Sequence, residues 1–197
     1  VDLVLPSRAQ PAADAAALKL YEDATPAVVQ IDTNRGSGTG FFVDKDGTIV
    51  TAAHVVLGTK EHFAVTKDGT RYRLQIEKID DINDLAVMRP LNMPADRPFL
   101  SLAPDSKLKA KQELFALGHP EGLRPAYISP GTYKAPATTL SLLAKISPTE
   151  MGNLGRRLHT YTPKELFDLK DSLERPLVNS DLHIRHGNSG GPLVEES

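Results

Sequence analysis

GTGFFVDKDGTIVTAAH, residues 38–54, reads as two short strands folded onto each other. Gly38 to Val43 and Thr48 to Thr51 carry apolar, β-branched and aromatic residues, and Lys45-Asp46-Gly47 turns the chain between them, a hairpin signature. The pattern continues on both sides. Val28 to Ile31 reads as a preceding strand, a second hairpin runs from Phe63 to Leu74 with its turn at Lys67-Asp68-Gly69, and Gln75 to Ile79 and Leu85 to Met88 follow. About six short strands in so little chain imply a closed β-barrel or a sandwich. Upstream, Asp14 is a helix N-cap for Ala15 to Asp23, with Leu18 and Tyr21 at helical spacing, and Pro26 ends that helix.

Beyond this first unit the composition changes. Residues 90–98, PLNMPADRP, hold three prolines and few core formers. The expected division is an arm over 1–27, a first barrel over 28–90, a linker over 91–98 and a second unit over 99–197. The second unit restarts with Glu113 to Leu117, a Gly118-His119-Pro120-Glu121-Gly122 turn and a strand from Tyr127 to Lys134. Residues 135–176 break the pattern as an insertion. Thr162-Pro163-Lys164-Glu165 is an N-cap, a first-turn proline and a capping-box glutamate, so 163–173 is expected as an amphipathic helix with Leu166, Phe167, Leu169 and Leu173 on one face. Placed just ahead of the last motif, the insertion is expected to be structural, with a lid over the site as the alternative.

Composition excludes several function classes. The 197 residues are 40% hydrophobic and 24% charged, with net charge −2 and no Lys/Arg block, so nothing points to a nucleic-acid partner. There is no cysteine, which removes disulfide scaffolds, thiol catalysis and thiolate metal sites together. No apolar run approaches the roughly 18 residues of a membrane span. The chain begins at Val1, and export with a removed leader is the expectation for its location.

The chemistry lies in three places. Gly187-Asn188-Ser189-Gly190-Gly191-Pro192-Leu193 sets a serine among glycines, where backbone comes close to a substrate carbonyl and the N–H groups of Gly187 and Ser189 turn into one hole. Thr51-Ala52-Ala53-His54 puts an imidazole at the end of a strand beside small residues. Asn83-Asp84-Leu85-Ala86-Val87 puts a carboxylate at the start of an apolar strand, placed to accept the imidazole N–H and hold its tautomer. Alone, each has a plain structural reading: a glycine-rich turn, a structural histidine, a strand-initiating aspartate. Together, in the order His, Asp, Ser, they read as a hydrolytic triad. An α/β-hydrolase does not fit, because the serine lacks a strand-to-helix elbow and comes last. His183 and His186 resemble a metal pair at i, i+3, but no third ligand accompanies them, so no metal is expected.

These stretches, with Gly36 to Phe41, Ile49 to Val56, Asp84 to Val87 and Gly187 to Val194, resemble the trypsin-like peptidases of the HtrA/Deg kind. The resemblance covers roughly residues 20–134 and 177–194. It implies an all-β chain of two chymotrypsin-like six-stranded barrels with the site between them. It implies His54 as general base, Asp84 as its orienter, Ser189 as nucleophile, and the N–H groups of Gly187 and Ser189 as oxyanion hole, with no cofactor and a polypeptide substrate. His183, six before Ser189, and Ile184 fall where the specificity pocket is expected, and a hydrophobic or small residue before the scissile bond is the reading that goes with them. The chain departs from the resemblance in its insertion and in ending at Ser197, before the last strands of such a barrel. A cut chain is expected, a separate C-terminal segment or a truncated barrel being the alternatives; no PDZ module is legible. The competing function is a non-catalytic or latent binding module on the same fold, with an acyl transferase or esterase as a third reading.

Overall fold

The computed structural model describes residues 11–103, 108–138 and 176–195. Strands β1 (Val28–Thr33), β2 (Gly36–Phe42), β3 (Ile49–Thr51), β4 (His62–Val65), β5 (Arg71–Asp80) and β6 (Leu85–Pro90) close into a barrel in the order β1-β2-β3-β6-β5-β4. Closure comes from β4 pairing back onto β1, Gln30 opposite Val65 and Ile31 opposite Ala64. Alternation sends Val29, Ile31, Phe42, Ile49, Leu74 and Met88 inward to one core, with Val56 packed among them. Each such side chain contributes about 1.5–3 kcal/mol by leaving water. The two hairpins lie where the Asp-Gly turns place them. The break expected between Leu74 and Gln75 is absent: β5 runs through it and instead shifts register against β6 between Ile76 and Lys78, a bulge that bends the strand around the barrel.

The second sheet has four strands among the described residues, β7 (Glu113–Gly118), β8 (Tyr127–Thr138), β9 (Pro176–Ser180) and β10 (Leu193–Val194), in the order β10-β7-β8-β9. The first four positions of the expected insertion are thus the end of β8, paired with β9 from Ala135 opposite Asn179 to Thr138 opposite Pro176. The helix expected over 163–173 lies outside the described residues. The fold is therefore mostly β: one closed six-stranded barrel beside a second, incomplete sheet.

Helix α1 (Pro11–Ala24) starts earlier than the Asp14 cap suggested, at a proline whose missing N–H is no loss in a first turn. Its Tyr21 hydroxyl donates to the carbonyl of Ala126 at 2.9 Å. Tyr21 also packs on a second cluster, where Ala24 and Val28 meet Leu117 and Ala126, with Phe41, Ile128 and Val194 around them. That cluster joins helix, barrel and second sheet. No helix among the described residues is long and apolar enough to cross a membrane.

Candidate active site

His54 does not end a strand but sits on a short helix α2 (Ala53–Val56), one residue beyond β3. Asp84 lies immediately before β6 with φ at +53°, the left-handed region, which turns its carboxylate back onto that helix. Its Oδ2 accepts from His54 Nδ1 at 2.7 Å and its Oδ1 accepts from the His54 backbone N–H at 2.8 Å. The Asp84 carbonyl also accepts the Ala53 N–H at 3.1 Å. Three bonds therefore hold one helical turn to one strand end, and they orient the imidazole with Nδ1 toward the carboxylate and Nε2 without a partner among the described residues. Both side chains are half-exposed.

Ser189 lies on the loop leading to β10, yet that loop is secured to the first barrel. Thr39, fully buried on β2, donates its N–H to the Ser189 carbonyl at 2.8 Å and its hydroxyl to the Gly187 carbonyl at 2.6 Å. The same hydroxyl accepts the His119 N–H at 2.9 Å, and the Thr39 carbonyl accepts the Thr51 hydroxyl at 2.6 Å. Gly190, at φ +82°, lies so close to Thr51 Oγ1 and the Thr39 carbonyl that no Cβ fits there. The serine is thus brought to the end of β3, three residues from His54 along the chain at Thr51. Among the described residues Ser189 Oγ makes no hydrogen bond, to His54 or to any other group.

The loop also orients two N–H groups. The His186 carbonyl accepts the Glu121 N–H at 2.7 Å. A trans peptide points its C=O and N–H in opposite directions, so this bond turns the Gly187 N–H away from the 119–122 turn. The N–H groups of Asn188 and Gly191 bond within the loop, to the carbonyls of Arg185 and Asn188 at 3.1 and 2.9 Å. Those of Gly187 and Ser189 have no acceptor among the described residues. Glu121, at φ +54°, is the residue that makes the clamp, and Gly187, at φ +96°, packs against the His119 carbonyl where a side chain has no room.

Beside this loop lies a cavity of about 370 Å³ lined by Pro120, Leu123, Tyr127, Ser129, His183 and Asn188 among others. His183 lines this cavity, its carbonyl held by the Ser129 hydroxyl at 3.0 Å. Ile184 is exposed and does not line this cavity. His119 is buried behind the loop, its Nδ1–H donating to the Leu123 carbonyl at 2.9 Å, and burial pushes its pKa below the usual histidine value. Among the described residues no group of three or more His, Asp or Glu side chains is placed to hold a metal ion.

Thr39, His119 and Glu121 carry no role in the sequence reading, although all three stand inside motifs quoted there. The available signal was a β-branched hydroxyl between two glycines of a buried strand, where apolar residues are the rule.

The trypsin-like peptidase domain matches residues 38–197. This chain belongs to that family. Human serine protease HTRA4 is 34% identical over 158 residues, which cover 80% of this chain and 28% of that protein. The putative serine protease HhoA of Synechocystis is 27% identical over 161 residues, 81% of this chain and 34% of that one. The chain spans no more than about a third of the length of these two trypsin-like relatives. Among solved structures, the Rv3671c protease in its inactive form superposes with a TM-score of 0.69 at 21% identity, over 97% of this chain and 82% of that chain. That likeness bears on the fold, and it agrees with a chymotrypsin-like arrangement.

Proposed function

We propose that the chain is the catalytic part of a serine endopeptidase that cleaves polypeptides through an acyl-enzyme. In this reading the first barrel supplies His54 as base and Asp84 as its orienter. The second unit, joined through 91–98, supplies Ser189 as nucleophile and the Gly187 and Ser189 N–H groups as oxyanion donors. The observation that carries it is the anchoring of the Ser189 loop to β2, with Gly190 packed against β3, on the same barrel whose His54 imidazole Asp84 holds. Ser189 Oγ gives its proton to His54 Nε2 as it bonds to the substrate carbonyl carbon, and the oxyanion meets the two free N–H groups. His54 then passes that proton to the departing amine, and water repeats the sequence to release the acyl group.

The cavity beside the loop receives the side chain before the scissile bond. Pro120, Leu123 and Tyr127 in its wall favour an apolar one. An exported location belongs to the same reading and rests on the kinship with HtrA-like proteases.

A second reading, a latent or non-catalytic module, draws on Ser189 Oγ having no hydrogen-bond partner among the described residues. Labelling with a fluorophosphonate probe separates the two. Wild-type chain that labels while Ser189→Ala and His54→Ala do not establishes an assembled triad. Failure of the wild type to label establishes the latent reading.

A further inference from the structure

A second cavity has no role so far. It measures about 360 Å³ and is lined by Gln30, Asp32, Ser37, Glu61, Phe63 and Arg71, with three further residues of the β1–β2 turn region. Ser37 precedes Gly38, and a Cβ on Gly38 would lie 3.2 Å from the Ser189 carbonyl and 2.7 Å from the Val55 side chain of α2. The Ser37 wall of the cavity is therefore one residue along β2 from the position that meets both the Ser189 carbonyl and the helix that bears His54. Its far wall is the loop that follows that helix, tied to the β1–β2 turn by the Lys60 N–H donating to Asn34 Oδ1 at 3.1 Å.

Direction follows from chemistry and rests on the protease reading above. The group that leaves takes its proton from His54, so the chain beyond the scissile bond lies on the His54 flank, opposite the cavity at His183. The charges then set the preference. The lining cation is Arg71, which is already committed: it donates to Asp32 Oδ2 at 2.9 Å and its guanidinium stacks 4.7 Å from the Phe63 ring centroid. Glu61 has no partner among the described residues. Gln30, 8% exposed, spends its amide N–H on Asp32 at 2.7 Å and leaves Oε1 unpartnered. The neighbouring cations Arg35 and Lys60 stay out of the lining. What the cavity offers is the unpaired Glu61 carboxylate beside that of Asp32, two negative charges against the one of Arg71, which complement a donor-rich cation.

We infer that this cavity is a leaving-group subsite that selects polypeptides with lysine or arginine shortly after the scissile bond, through Glu61 with Asp32. The test uses quenched peptides differing only in Lys or Glu at each of the first three positions after the cleaved bond, with probe labelling run in parallel. Wild-type protein is expected to favour Lys at one of these positions by about fivefold in kcat/KM, the factor a half-exposed ion pair supplies. Glu61→Gln is expected to bring that ratio close to unity, and Asp32→Asn to reduce it. Because each ratio is taken within one variant, general damage to the enzyme cancels. Labelling and cleavage with no Lys preference in the wild type, or a preference that survives in both variants, overturns the inference alone. Absence of both labelling and cleavage overturns the protease reading and this inference with it.

Discussion

Thr39 holds its hydroxyl between two backbones of different origin, accepting from His119 at the end of β7 and donating to Gly187 in the nucleophile loop. Valine has the same shape without the hydroxyl. Thr39→Val therefore leaves a buried N–H unpaired, at about 1–3 kcal/mol, and releases the carbonyl two residues before Ser189. The expected result is a probe-labelling rate lower by about tenfold, with Thr39→Ser restoring most of it. Wild-type labelling by Thr39→Val would remove Thr39 from the positioning of Ser189. His119 carries a different prediction. Burial lowers its pKa from 6.5, so between the lowered value and 6.5 the unfolded chain binds more protons than the folded one. Its contribution to stability is present above that window and is lost as pH falls through it. Denaturant midpoints measured from neutral to mildly acidic pH should fall, and should fall less steeply in His119→Asn, which keeps a donor for the Leu123 carbonyl.

At the level of elements, the turn around Ser189 is the one that tolerates least. Gly190→Ala puts a methyl against Thr51 and Thr39 while leaving the barrel core untouched. Loss of probe labelling with a preserved β spectrum is expected; an unimpaired rate would show that the loop has slack. The β4–β5 turn has its own pH signature, because the Thr66 hydroxyl and Thr70 N–H hold the Asp68 carboxyl down to about 2. That turn keeps its support well below the ordinary carboxylate range and gives it up only as pH approaches that value.

The hairpins were legible because each pairs an alternating apolar run with an Asp-Gly turn, both local features. The continuation of β5 past Gln75 was not, since its bulge exists only against β6. The helical turn under His54 escaped for a similar reason: Ala53 to Val56 is too short for a periodic signal, and its bonds go to Asp84, distant in sequence.

For the whole molecule, stability and site share one cluster. Leu117 is 1% exposed where helix, barrel and second sheet meet. Leu117→Ala is expected to cost about 2–5 kcal/mol in chemical denaturation and to slow labelling as well, because β7 also carries the 119–122 turn. Tyr21→Phe, which loses only its bond to Ala126, is expected to cost about 0.5–1.5 kcal/mol. At this scale the sequence was least explicit. His54, Asp84 and Ser189 stood out because each lies in a dense local motif, whereas the cavity walls at Leu123, Tyr127, Gln30 and Glu61 come from separate strands and loops and share no pattern.

The fastening of the Ser189 loop to Thr39 also bears on recombination. A chimera that takes its first barrel from one relative and its second half from another keeps this anchor only if the first barrel brings a hydroxyl at position 39, because its partners in the second half are backbone groups. Domain shuffling in such proteins would therefore be limited less by the linker than by one hydroxyl in the half that does not contain the serine.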